Sequence, residues 1–353
     1  MKKELLMATA LVSTLGAASV AQAVTATMSG SWKAGAEFDS PETGVDTQNV
    51  VDLSNFSVSL SETTDAGTTI SSSFGVIDEG GNDIGDDDNA IKLTFTDGSA
   101  VELLNAGNAA STSLIAVPSG AGEMGVAGAT SNTTPTDLDF GAGSTKLGVE
   151  WHSAADFLAD GLKMSVSYST DDGTAKTATA RMENSWGVGA TYVTSAGDTA
   201  LTIGTGFSGG DVANTGTQTT GGKEGFHAGV SAVTGDLTVA VGYADGNSFK
   251  GDVDDNVSAN TDIEGSVLKA GISYVTGDIT LALGVTSAEG KDSNFGATTT
   301  TDDSKDTMSG SVTYAVASGV SAVLGYLTED HNDDGSTATT GGSSWYVGAT
   351  MSF

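Results

Sequence analysis

The stretch that decides the fold is WYVGATMSF, residues 345–353. Alternate positions of this stretch are apolar: Trp345, Val347, Ala349, Met351 and Phe353. The positions between them are small or polar. A period of two is typical of a β-strand whose two faces meet different surroundings. A strand of a soluble sandwich shows the same alternation, so the choice of architecture depends on the rest of the chain.

Four further segments repeat one unit, a tight hairpin between two alternating flanks. They cover residues 187–207, 226–246, 268–287 and 309–330. Their central glycines, Gly197, Gly235, Gly277 and Gly319, are spaced 38, 42 and 42 residues apart. Glycine at such a position supplies the positive φ of a short turn. Three earlier turns fit at 65–67, 97–98 and 160–161, so the sequence predicts seven short turns.

Longer, acidic connections lie between these turns. Bacterial outer-membrane barrels alternate short periplasmic turns with long external loops in this way. If both termini are periplasmic, seven turns imply an all-β, antiparallel transmembrane barrel of about sixteen strands. The predicted strands are 24–38, 50–62, 68–77, 89–96, 99–104, 144–152, 162–169, 185–194, 199–207, 225–233, 237–244, 265–275, 279–287, 307–317, 320–328 and 343–353.

The alternation also predicts which face meets lipid. One parity of each strand is apolar and carries no charge in the strand interior, as the cost of a charge in the bilayer requires. Phe74, Tyr168, Tyr243 and Tyr326 follow a turn glycine, whereas Tyr192, Tyr274 and Tyr314 precede one. We therefore expect two aromatic girdles, one at each membrane interface. A sandwich core would also hold aromatic residues, but without these repeated offsets.

The amino terminus resembles a signal peptide. Lys2 and Lys3 precede an apolar run over 5–20, and Ala21-Gln22-Ala23 supplies the small residues of a cleavage site. Residues 1–23 are thus expected to be removed, which leaves a barrel over 24–353. No later apolar stretch reaches the ~18 to 20 residues of a membrane-spanning helix.

Charge and cysteine content exclude other classes of protein. Without residues 1–23 the chain carries 44 acidic and 11 basic residues, a net charge of about -33. Such a charge opposes binding to nucleic acid through its phosphates. The absence of cysteine fits a chain that crosses an oxidising compartment without forming disulfides.

Most of the acidic residues lie in the connections assigned to the external side. The runs 86–88 (DDD) and 252–256 (DVDDN) could bind Ca²⁺ through oxygen ligands, or simply be solvated. Val257 occupies the position where an EF-hand needs glycine. A solvated acidic surface is the favoured interpretation, no other cofactor is predicted, and contact with lipid headgroups and lipopolysaccharide is expected at this rim.

One connection, residues 105–143, is far longer than an ordinary loop. It consists mainly of small and mildly apolar residues, and its charged residues are Glu123, Asp137 and Asp139. This composition favours a loop that folds into the barrel and places these carboxylates in the lumen. A flexible external loop is the alternative.

The chain resembles the general diffusion porins of Gram-negative bacteria, especially those of alphaproteobacteria. The resemblance rests on SGSWKAG at 29–35, LSETTDAG at 60–67, the long third loop and the final phenylalanine. It implies a trimer in which the third loop narrows a diffusion channel, with its acids facing a basic wall. By parity, the basic residues that point into the lumen are Lys33, Lys92, Lys146, Lys163 and Lys269.

The first four of these lysines are candidates for the basic side of a constriction opposite Glu123, Asp137 and Asp139. Arg181 is the only arginine of the mature chain, which departs from the arginine-rich wall of the family. The alternative is that each lysine is an isolated, solvated charge. Together with the net acidity, the pattern predicts a channel for small hydrophilic solutes and ions that prefers cations.

Two other functions compete with a channel. An enzyme is disfavoured because His152, His227 and His331 are scattered, and HExxH and P-loop patterns are absent. An acidic adhesin or structural outer-membrane β-protein would share the composition, but β-solenoids repeat at ~20 to 30 residues or less. The longer hairpin period argues for the barrel.

Overall fold

The computed structural model describes residues 24–42, 44–77, 90–104, 106, 109–120, 147–170, 181–213, 221–250, 261–294, 300–332 and 340–353. The predicted signal peptide lies outside these residues. Each of sixteen strands pairs with its neighbours in the chain, and the last strand returns to the first, so the sheet is a closed antiparallel barrel. The predicted fold class is confirmed. Among the described residues, no helix is long and apolar enough to span a membrane.

The strands are β1 Thr25–Pro41, β2 Thr47–Thr63, β3 Thr69–Ile77, β4 Ile91–Thr94, β5 Ala100–Leu103, β6 Gly148–His152, β7 Leu162–Ser169, β8 Arg181–Ala196, β9 Thr199–Ala213, β10 Gly221–Thr234, β11 Leu237–Lys250, β12 Thr261–Thr276, β13 Ile279–Asn294, β14 Thr300–Ala317, β15 Val320–Asn332 and β16 Thr340–Ser352.

The barrel closes at the stretch that first indicated it. Phe353 and Gly30 exchange two backbone hydrogen bonds of 3.1 Å, just beyond the ladder in which Ser31 pairs with Ser352. The Phe353 ring lies against Gly30, where an added Cβ would come within 2.6 Å of the ring edge. Its centroid lies 6.3 Å from that of Phe56 on β2. The final strand thus pairs with the first, as its alternation and apolar face suggest.

All seven predicted turns are present. Their glycines have φ between 56° and 85°, in the left-handed region that side chains disfavour: Gly67, Gly98, Gly161, Gly197, Gly235, Gly277 and Gly319. In the turn before β5, the backbone N–H and the hydroxyl of Ser99 both donate to the Asp97 carboxylate. These hydrogen bonds lower the pKa of Asp97 below its usual 3.8.

The strands differ from prediction mainly at their external ends. β9 continues to Ala213 where the alternation ends at 207, and β14 begins at Thr300 instead of 307. Hydrogen-bonded ladders continue there through polar residues, which carry no hydrophobic alternation because both faces can meet water. In contrast, β4 and β6 are shorter than the predicted 89–96 and 144–152; residues 144–146 lie outside the described part of the chain.

The outer face of the barrel carries the apolar parity. Its side chains include Ile203, Val241, Ile272 and Leu281, each about two-fifths exposed on the isolated chain. The aromatic residues of the two predicted girdles are exposed on this face, except that Tyr326 is half-buried against Trp345. The girdle that contains Tyr168, at the external end of the barrel, also includes Trp186, Phe207 and Phe226. Trp186 is the cross-strand partner of Tyr168, and Phe226 is the partner of Phe207.

Two adjacent residues of β9 allow a matched test of the lipid face. We expect Ile203→Lys, on the apolar parity, to lower the free energy of unfolding by about 2 to 4 kcal/mol in a bilayer. Thr202→Lys adds the same charge one position away, on the inner parity, and should change it little. Urea titration of both variants in lipid vesicles measures the difference. Equal effects would contradict the assignment of the two faces.

Candidate functional site

The described part of the long third connection folds into the barrel, as the composition of the connection predicts. After β5 the chain turns inward, and residues Ala109–Gly120, here called the strap, cross the inner surface of the wall from β7 to β14. The strap contains one 3₁₀ turn, Ser111–Ser113, and then runs extended. Residues 121–146 lie outside the described part of the chain.

Hydrogen bonds attach the strap to the wall at both ends. The Ala109 N–H donates to Ser167 Oγ on β7 over 3.0 Å, and the Gly120 N–H donates to Ser309 Oγ on β14 over 2.9 Å. Between them, Ser113 Oγ donates to the Thr205 carbonyl of β9 over 2.7 Å. The anchors are therefore spread across eight consecutive strands.

A buried histidine supplies one more anchor. His227 on β10 is only 3 % exposed, and its Nε2 lies 2.8 Å from the Ala110 carbonyl oxygen. A carbonyl only accepts hydrogen bonds, so Nε2 must carry the proton. Ser113 Oγ is 3.5 Å from the same nitrogen, but its hydroxyl is directed at backbone carbonyls. This serine and histidine thus lack the arrangement of a nucleophile and its general base.

Several glycines lie in the wall directly under the strap. At Gly229 an added Cβ would lie 2.9 Å from Ile115 Cβ, and at Gly284 it would lie 2.8 Å from the Pro118 carbonyl oxygen. Similar close approaches occur at four more glycines on the same inner face: Gly189, Gly204, Gly206 and Gly271. Real Cβ contacts are longer than this, so the strap lies where only glycine leaves room for it.

Apolar side chains complete the contact. Leu114 and Val117 of the strap pack against Ala244, Val267 and Ala288, which are at most 1 % exposed. The barrel's small hydrophobic core thus lies between strap and wall. On its other side the strap exposes Thr112, Ala116 and Ser119, which are small and uncharged.

The predicted acids of the constriction, Glu123, Asp137 and Asp139, lie outside the described residues. The same holds for Lys146 and for the acidic runs at 86–88 and 252–256. Within the described part of the chain, no group of three His, Asp or Glu side chains is arranged to hold a metal ion. The acidic side of the constriction and the Ca²⁺ sites therefore stay predictions.

Three predicted lysines of the basic wall are described. Lys33 on β1, Lys92 on β4 and Lys163 on β7 share the inward parity of their strands. Lys269 on β12 lines a cavity of about 200 Å³ beside Pro118, at the end of the strap. Whether the lysines form one side of a constriction stays a prediction.

Lys92 belongs to a mixed cluster and not to a purely basic wall. Its Nζ lies 2.6 Å from Glu102 Oε1 on β5, and the same oxygen is 3.3 Å from His152 Nε2 on β6. Glu150 Oε1 is 3.6 Å from that nitrogen. We call Lys92, Glu102, Glu150 and His152 the lumen cluster.

The two glutamates of the lumen cluster were not among the residues that the sequence predicts to line the passage. The signal was present, because Glu102 and Glu150 have the parity opposite to Val101, Leu103 and Val149 on their strands. Their cross-strand pairing depends on the register of β5 with β6, which a connection of more than forty residues conceals. A second pair, Lys305 and Glu329, faces the lumen at 3.0 Å.

The closed antiparallel barrel of sixteen strands is shared with known proteins. A family model described as Gram-negative porin matches residues 8–335. The chain belongs to the Gram-negative porins. Its family and fold accordingly make it an outer-membrane channel and point away from an enzyme. No curated protein sequence matches this porin.

Solved structures show the same architecture. The anion-selective porin from Comamonas acidovorans has a TM-score of 0.68 at 14% identity, covering 94% of this chain and 100% of that one. OmpT of Vibrio cholerae in its trimer form gives 0.60 at 17%, covering 94% and 100%. Salmonella typhi OmpF in complex with daunomycin gives 0.60 at 14%, covering 93% and 98%. At such identities the likeness extends to the fold alone.

Proposed function

We propose that this porin forms a water-filled channel through which small hydrophilic solutes and ions diffuse passively across the outer membrane, and that it prefers cations. The observation that carries the proposal is the position of the strap. A sixteen-stranded barrel is wide enough to leave an aqueous channel. Within the described part of the chain, the strap covers the β7–β14 part of the inner wall and leaves β15, β16 and β1–β6 facing the lumen.

The charge of the chain supports the preference for cations. Its net charge is strongly negative, and the described lumen face of β1 bears Glu37 and Asp39 beside Lys33. One structural neighbour is an anion-selective porin, so the shared fold does not determine the sign of the selectivity. The charges that line the passage must determine it.

Uptake into liposomes tests the channel itself. Vesicles that contain the purified porin should swell in isotonic solutions of small sugars, at rates that fall as the sugars become larger. A reversal potential of the sign expected for cations in a KCl gradient would support the selectivity. Vesicles that swell no faster than protein-free vesicles would favour the alternative, a surface adhesin or structural barrel without a passage.

We also propose that the porin is a homotrimer, with β1–β6 on the side where protomers meet. β4 and β5 have four residues each and rise about 13 Å even if untilted, less than the ~25 Å apolar band of a barrel. On the outer face beside them, Trp32 Nε1 donates to Asp52 Oδ1 over 2.8 Å. A short wall and an outward carboxylate suit contact with another protomer better than lipid.

A tryptophan on each side of the barrel tests this proposal. Trp32→Ala is expected to shift the porin from trimer to monomer, because it removes apolar area from the contact and leaves Asp52 without its indole donor. Trp186→Ala removes the same side chain from the outer face of β8 and should leave the trimer intact. Unheated gel electrophoresis and native mass spectrometry give the oligomeric state. A trimer of unchanged stability in both variants would contradict the assignment.

Three further proposals follow from the sequence. Residues 1–23 are a cleaved signal peptide, which amino-terminal sequencing of the membrane-inserted protein would test. The motifs at 29–35 and 60–67 support a porin of the alphaproteobacterial type. Outward carboxylates at the external rim, such as Asp245 and Asp330, support contact with lipopolysaccharide bridged by divalent cations such as Ca²⁺.

A further inference from the structure

One of the seven short turns differs from the others. The other six are centred on small or acidic residues: Asp65-Ala66-Gly67, Asp97-Gly98, Gly197-Asp198, Gly235-Asp236, Gly277-Asp278 and Ser318-Gly319. The connection between β6 and β7, residues 153–161, is longer and carries two adjacent large apolar side chains. Phe157 is 45 % exposed and Leu158 is 72 % exposed on the isolated chain. Water is an unfavourable neighbour for such a pair.

Hydrogen bonds fix the shape of this connection, here called the β6–β7 turn. The Phe157 N–H donates to the Leu162 carbonyl at the start of β7 over 3.1 Å. The Gly161 N–H donates to the Asp156 carboxylate across the turn. An ordered segment therefore presents Phe157 and Leu158 at the barrel surface.

The strand register places Phe157 at the level of a membrane interface. Leu162, which accepts its hydrogen bond, is the direct cross-strand partner of Tyr192 on β8. Tyr192 belongs to the aromatic girdle on the side of the short turns, where amphipathic rings meet the boundary between headgroups and acyl chains.

A ring contact places Phe157 on the outer face of the barrel. Its centroid lies 5.3 Å from that of Trp151 on β6, in an edge-on arrangement. Trp151 is the cross-strand partner of Val166, an exposed residue of the apolar outer parity of β7. The apolar surface that faces lipid thus continues from the strands onto the β6–β7 turn.

The strands beside the turn indicate what covers it. β6 has only five residues and rises about 17 Å even if untilted, less than the ~25 Å apolar band of a barrel. The hydrogen bond to Leu162 joins the turn to β7, which lies outside the side assigned to protomer contacts. Lipid is therefore the neighbour that the position of the turn favours.

The charges of the turn narrow the kind of lipid. Asp156 and Asp160 flank the apolar pair and are exposed. Carboxylates at headgroup level complement the ammonium groups of zwitterionic phospholipids and repel anionic headgroups. Phe157 and Leu158 are suited to the acyl chains below such headgroups.

We propose that the β6–β7 turn is a membrane anchor, in which Phe157 and Leu158 enter the acyl-chain boundary of the periplasmic leaflet and contact zwitterionic phospholipid. The anchor supplies apolar surface where β6 is too short to span the band. Elements that lie in the interface bury their apolar side about 5 to 10 Å into this boundary. The anchor does not depend on the proposed channel function.

Site-directed spin labelling tests the anchor. The chain contains no cysteine, so Leu158→Cys gives a single attachment point for a nitroxide. Asp278→Cys, at the tip of the β12–β13 turn, is the matched control. In vesicles of phosphatidylethanolamine and phosphatidylcholine, the ratio of collisions with oxygen to collisions with a water-soluble nickel chelate should be at least about twofold higher at position 158 than at position 278.

Ala159→Cys is a second reporter that leaves both apolar side chains in place, and its label should also favour oxygen over the chelate. Heat-dependent gel mobility shows that each labelled barrel is folded. Labels at positions 158 and 159 that meet the chelate as readily as the control would place the turn in water and overturn the anchor. Labels that are shielded from both reagents and immobile would place a second copy of the chain over the turn, and would overturn it as well.

Discussion

Replacing residues 106–146 with a single glycine is expected to raise the single-channel conductance by about twofold or more, because it removes the strap from the lumen. The change is structurally mild for the barrel. The Leu104 N–H already donates to the Gly148 carbonyl over 3.0 Å, so Asn105, the new glycine and Leu147 would form a three-residue hairpin loop. Larger sugars should then enter liposomes that exclude them in the unaltered porin.

A matched control shortens a different external connection. Replacing residues 333–339, between β15 and β16, with a glycine should leave conductance and sugar size limit near those of the unaltered porin. Both shortened chains need to show the heat-dependent gel mobility of a folded barrel. Equal conductance in the strap deletion and the control would contradict the conclusion that the strap narrows the passage.

The second large effect is expected where the strap contacts glycine. Gly284→Ala places a Cβ 2.8 Å from the Pro118 carbonyl oxygen and 2.9 Å from Ser119 Cα. Overpacking of this kind costs about 1 to 3 kcal/mol unless the strap moves away. We therefore expect Gly284→Ala to have either a lower free energy of unfolding or a changed conductance. Gly229→Ala, beneath Ile115, should have the same effect.

Gly75→Ala is the control for this series, because a Cβ at Gly75 on β3 would meet nothing within 4 Å. It introduces the same methyl group into a strand of the same barrel, so it measures the intrinsic effect of alanine there. Urea titration and single-channel recording of the three variants separate the intrinsic effect of alanine from the effect of its contact with the strap. If Gly229→Ala and Gly284→Ala are as stable and as conductive as Gly75→Ala, the strap is not held against the wall as described.

The architecture could be predicted because its determinants are local. Each short turn needs a residue with positive φ, so Gly197, Gly235, Gly277 and Gly319 mark the hairpins by themselves. The lipid face demands an apolar parity on every strand, which fixes the outward side chains wherever the strand crosses the membrane. On the external side of the membrane this demand ends, and there most of the predicted strands stop short of the observed strand ends.

The position of the strap on the wall could not be predicted, because the contacts that fix it join residues far apart in the chain. Gly120 and its acceptor Ser309 are separated by 189 positions. The glycines beneath the strap are ordinary inner-parity residues in the sequence, and nothing local distinguishes Gly284 from Gly75. His227 likewise looks isolated until the strap brings the Ala110 carbonyl to its ring. The loop's composition predicted that it folds inward, but not against which wall.

The lumen cluster could be predicted only in part. The inward parity of Glu102 and Glu150 could be derived from their apolar neighbours, whereas the register that makes them partners is set by closure of the barrel. Of the predicted constriction, Lys33, Lys92 and Lys163 occupy inward positions, and Lys92 is already bound to Glu102. Because of this pairing with Glu102, Lys92 contributes to a wall of mixed charge and not to the basic wall that the sequence predicts.

The central claim is that this porin is an open, passive channel, and recording in planar lipid bilayers tests it most directly. The purified, folded porin should insert in discrete steps, each with a current that rises linearly with voltage. Heat-unfolded protein from the same preparation should give none. Bilayers whose conductance never exceeds that of protein-free controls, although the folded barrel has inserted, would contradict the account.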